Sequence, residues 1–89
     1  MYKTSDLGLA TALRVNGVKF VGIEPSVHRP HIADFLFEDS PKIEEVVGQY
    51  NQSSLTVNAK WYAQEMKNLR AQMKKFFDSQ RDEDYKTAR

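Results

Sequence analysis

The run Val18-Lys19-Phe20-Val21-Gly22-Ile23-Glu24, followed after a loop by Ile32-Ala33-Asp34-Phe35-Leu36-Phe37 and then by Asp39-Ser40-Pro41, decides the fold. The first two segments are β-branched and aromatic, and the first runs into Pro25, which are the marks of strands. Between them Pro25 to His31 holds two prolines and no β pattern, so a longer loop and not a two-residue turn joins an antiparallel hairpin. Apolar residues fall on both faces of each strand. One face is therefore expected to meet helices and the other to be partly covered as well. At the far end Ser40 suits an N-cap and Pro41 the first helical position, so a helix starts there.

Working outward, Ile43, Val46, Val47 and Tyr50 recur at i, i+3, i+4 and i+7 and predict one buried face for the helix from Pro41. Asn51-Gln52-Ser53-Ser54 ends it. Asn58 then caps a third helix in which Ala59, Tyr62, Met66, Leu69, Met73 and Phe76 repeat close to every 3.5 residues. The apolar stripe is lost from Asp78, and residues 78–89 are expected to fray into a charged, disordered tail. Upstream of the hairpin, Tyr2 to Thr4 reads as a short first strand. Ser5-Asp6 reads as an N-cap with a carboxylate in the first turn. Leu7, Ala10 and Leu13 give a stripe for a first helix at about 5 to 15, which Asn16-Gly17 stops. The expected fold class is α+β with the order βαββαα: a small antiparallel sheet packed against three helices, the last of them long, in one domain over residues 1–77.

With 89 residues the chain supports one modest core, since folding at this size hides only about 60 to 65% of the extended chain's surface. Hydrophobic residues at 40% and charged residues at 28% place it among globular proteins and away from disordered ones. There is no cysteine, which excludes disulfides, thiolate metal sites and a cysteine nucleophile. No basic region leads into an apolar stretch at the start, and no apolar run approaches the roughly 18 residues of a membrane span, so a cytoplasmic protein without membrane contact is expected.

The order Tyr2-Lys3-Thr4-Ser5-Asp6-Leu7, then Gly17-x-Lys19-Phe20-x-Gly22-Ile23-Glu24, then Phe35-x-Phe37-Glu38-Asp39-Ser40-Pro41 resembles an uncharacterised bacterial and phage family, a domain of unknown function. The similarity covers roughly residues 2 to 73. It implies the same βαββαα order and carries no catalytic role with it; the charged tail after Phe77 departs from the shorter family pattern.

Several constellations hold residue types that carry chemistry elsewhere. His28, His31 and Asp34 stand three apart, but Pro30 keeps them off one helical face, so no metal site is expected. Ser5-Asp6 is accounted for as a helix start, and no nucleophile elbow, phosphate loop or metal motif is present, so no catalytic residue and no cofactor is assigned. Glu38-Asp39 and Glu44-Glu45 already serve a helix start.

Charge distribution is more informative than the net value of +1. Residues 1–59 carry a net −2. Residues 60–75 carry +4, from Lys60, Lys67, Arg70, Lys74 and Lys75 against Glu65 alone, and residues 76–89 carry −1. The five cations form a basic ridge that suits a nucleic-acid backbone, the alternative being a solvated helix face.

Trp61, Met73, Phe76 and Phe77 point elsewhere. A globule of the first 58 residues is about 26 Å across by compact-domain scaling. A helix over 59–77 is about 28 Å long, which brings the phenylalanine pair to its edge. The expected function is thus a non-catalytic interaction module that self-associates as a dimer through these four residues and engages a partner protein. Nucleic-acid binding by the ridge is the alternative, and an enzyme with a cryptic site is a second one.

Overall fold

Backbone hydrogen bonding in a computed structural model divides the chain into β1 (Tyr2–Thr4), α1 (Leu7–Val15), β2 (Phe20–Pro25), β3 (Ala33–Phe37), α2 (Pro41–Asn51) and α3 (Ala59–Thr87). Residues 1–27, 29 and 31–87 are described, residues 80–87 by their backbone alone. The fold is α+β, in the order read from the sequence.

β3 is the central strand, in the order β1-β3-β2, and both pairings are antiparallel. Its alternation is strict: Ala33, Phe35 and Phe37 are buried while Asp34 and Leu36 are only half-buried. Phe35 and Phe37 are fully buried beside Leu9, Leu13, Ile43, Val46 and Leu69, so all three helices pack on one face of the sheet. Burying each such phenylalanine contributes about 2 to 3 kcal/mol. The opposite face carries no second layer among the described residues. Instead Lys3 of β1 reaches over β3 to Glu24 of β2, 2.6 Å away. On that face Gly22, Asp34 and Leu36 are half-buried, the partial cover that was expected.

Local differences have local causes. The strand expected from Val18 begins at Phe20, because the Val18 amide donates to the Leu13 carbonyl and closes the end of α1. Gly17 supports that turn at φ +86°, in the left-handed region that glycine enters without strain. A bulge between Phe20 and Gly22 pushes Val21 outward, where it is exposed. The cap of α1 is Asp6 and not Ser5: Asp6 Oδ1 accepts the Leu9 amide at 3.1 Å. Ser40 caps α2 as expected, its Oγ accepting from the Lys42 amide at 3.2 Å, and Pro41 is the first helical residue. Asn58 caps α3 through Trp61 N at 3.1 Å.

The backbone of α3 remains helical to Thr87, where fraying from Asp78 is expected from the lost stripe. Asp78 and Arg81 stand three residues apart and Asp82 and Lys86 four, spacings at which opposite charges support a helix without a core. At 29 residues α3 is about 43 Å long. It gives the molecule extents of 50 × 25 × 19 Å and a radius of gyration of 14.4 Å, against about 12 Å for a compact chain of this length. No helix among the described residues is long and apolar enough to cross a membrane.

Candidate functional site

α3 is docked by its inner side and free to be read from its outer side. Leu69 is fully buried, while Tyr62 and Met73 pack against the core. Arg14 of α1 fixes the flank: its Nε lies 2.9 Å from Glu65 Oε2 and its guanidinium stands 5.2 Å from the centre of the Phe20 ring. Glu65 Oε2 is buried and has no donor aligned for a hydrogen bond, so the contact with Arg14 is electrostatic.

With the inner side so occupied, Lys60, Lys67, Arg70, Lys74 and Lys75 are all exposed. Lys60, Lys67 and Lys74 lie a heptad apart opposite Leu69, spanning about 21 Å of axis. Among the described residues none of the five makes a salt bridge. The ridge is broader than a line, because Lys75 turns to the other flank and edges a hollow of about 370 Å³ with Ile23, Gln72, Phe76 and Ser79.

The four residues assigned to an interface do not form one patch. Met73 is absorbed by the molecule's own core. Trp61 is 65% exposed and borders a hollow of about 320 Å³ with Arg14, Val15, Gln64 and Glu65. Phe76 and Phe77 are half-buried and meet edge to face, with ring centres 5.4 Å apart at 69°. Trp61 lies about 22 Å along the helix from Phe76, too far for one compact contact. His28 and Pro30 lie outside the described residues.

A second cluster was missed in the sequence. Tyr50 Oη donates to Asp6 Oδ1 at 3.2 Å, and Tyr62 Oη donates to the Gly8 carbonyl at 3.1 Å. Both hydroxyls converge over Gly8, where a Cβ would sit 2.5 Å from Tyr50 Oη. Burial, and after it the Asp6 carboxylate, raises the phenol pKa values of Tyr50, Tyr62 and Tyr2 above their ordinary 10.0. A phenol kept protonated is a hydrogen-bond donor and not a base, so the cluster acts as a latch joining α1 to α2 and α3. Next to it Tyr50, Asn51, Ser53, Leu55, Val57 and Tyr62 line an open hollow of about 540 Å³. The only sequence signal was the glycine in the first turn of a helix, a position where closely approaching groups exclude a side chain.

The fold defines an open-faced α+β domain with one overlong helix. The chain belongs to the family described as a domain of unknown function, DUF5659, whose model matches residues 1–77. The match ends at Phe77, the residue after which the charged tail departs from the family pattern. No curated protein and no solved structure matches the chain.

Proposed function

We propose that this chain is a non-catalytic interaction module that self-associates through α3 and presents the resulting surface to a partner protein, acting in the cytoplasm. The observation that carries this reading is the position of Phe76 and Phe77. The pair stands in the middle of a continuous helix, half-buried, where α3 leaves the body of the domain. Half-covered aromatic rings on a helix that continues past its own core favour a second surface, because covering them contributes on the order of 25 cal/mol per Å². Light scattering across a concentration series tests it. A dimer is expected for the full chain and a monomer for F77E; a full chain that stays monomeric at high micromolar concentration overturns the reading.

The exposed ridge supports a second reading, binding to a nucleic-acid backbone. It predicts affinity that falls steeply with salt, with a log–log slope that shrinks by about 1 for each of Lys67, Arg70 and Lys74 made neutral. No binding at low salt removes it.

A further inference from the structure

The continuation of α3 past the body puts Arg70, Phe77 and Asp84 at i, i+7 and i+14 on one unbroken helix, and so along one line of its surface. Successive heptad positions drift by only about 20°. Arg70 is exposed and Phe77 half-buried. The line has a cation at one end, an aromatic ring at its centre and an acidic residue at the other end. Such a line is complementary to its own reverse.

Resting on the self-association proposed above, we infer that the partner of α3 is a second copy lying antiparallel, with the two-fold axis at Phe77. In that register Phe77 meets Phe77 of the second copy, and each Arg70 stands opposite an Asp84, so one contact gives two opposite-charge pairs around an aromatic centre. A parallel pairing does the reverse. It stacks Arg70 on Arg70 and Asp84 on Asp84, and it brings the two domain bodies to the same end, side by side. Antiparallel pairing sends the bodies to opposite ends, where each lies beside the other copy's overhang.

The chain's lack of cysteine makes the test direct, because an introduced thiol is the only one present. R70C and D84C proteins are treated with a short thiol crosslinker, alone and mixed, after light scattering has given the mass of each. Residues opposite one another on paired helices lie about 8 to 10 Å apart between axes, whereas Arg70 and its own copy stand about 21 Å apart along the axis in the antiparallel pair. Crosslinked dimer from the mixture, with little from either variant alone, is expected. A companion measurement uses charge: R70E and D84K each weaken the dimer several-fold, and R70E/D84K in one chain restores it. Crosslinking of R70C with itself overturns the antiparallel register and leaves self-association standing, as does a dimer that crosslinks in no combination. A monomer at every concentration removes both.

Discussion

Tyr50 Oη and the Leu9 amide share one acceptor, Asp6 Oδ1, at 3.2 and 3.1 Å, so the cap of α1 is also the anchor of α2. One carboxylate oxygen thereby holds a local feature and a contact between residues far apart in the chain. The stability of the first helix and the seating of the second are coupled through it.

D6A is expected to cost about 1 to 2 kcal/mol, the loss of a cap together with a charge-assisted hydrogen bond. D6N keeps an acceptor in the same place and recovers most of it. Urea denaturation of the two variants beside the parent measures the difference.

The two glycines inside helices predict opposite outcomes for the same substitution. Alanine at Gly48 meets nothing within 4 Å, so G48A is expected to stabilise by about 0.5 to 1 kcal/mol through helix propensity. At Gly8 a Cβ collides with Tyr50 Oη at 2.5 Å and presses on Tyr62 Oη at 3.3 Å. G8A therefore forfeits that gain and breaks the latch, a net loss of about 1 kcal/mol. Matching midpoints for the two variants would refute the latch.

Alkaline pH gives a third measurement. Tyr50, Tyr62 and Tyr2 have folded-state pKa values raised above 10.0, by burial first and by Asp6 second. The unfolded chain therefore releases those protons first as pH rises. Their contribution to stability is complete below pH 10 and is lost as pH climbs through the raised values. Lys3, raised by its hydrogen bond to Glu24, adds a loss in the same direction. Denaturation midpoints should fall as pH rises above about 10, the ordinary phenol value, and Y50F should flatten the fall.

Leu69 and Trp61 separate docking of α3 from its outer surface. L69A removes a fully buried side chain and should cost about 2 to 5 kcal/mol. Trp61 is 65% exposed, and W61A should stay within about 0.5 kcal/mol of the parent. A large loss for W61A would mean that the hollow beside Arg14 matters to the fold.

Elements built from neighbours in sequence were legible. Ser40-Pro41 announces α2 because cap and first-turn geometry are decided within four residues, and the hairpin follows from two β-branched runs and the loop between them. Other features needed partners that no local pattern names. Asp6 meets Tyr50, and Gly8 meets Tyr62, only once three helices have packed. The start of β2 shifted because the Val18 amide was claimed by Leu13. The extent of the α3 backbone was not legible for a different reason: an apolar stripe reports which residues are buried, and a helix that leaves its core keeps its backbone pattern while losing the stripe. The ridge was legible as a charge run, yet its spread to Lys75 and the dispersal of Trp61, Met73 and Phe76 depended on which side of α3 met the body.

The central position of β3 sets an order of events. Phe20 to Pro25 reach it through the single loop of the hairpin, whereas Tyr2, Lys3 and Thr4 pair with Phe37, Leu36 and Phe35 only after the chain has passed through a helix and a hairpin. Local contacts close first and distant ones later, so the hairpin is the template and the first strand its late addition. The same asymmetry governs the finished molecule: amide protons of β1 should exchange with solvent ahead of those of β2 and β3, through opening that leaves the rest of the domain closed.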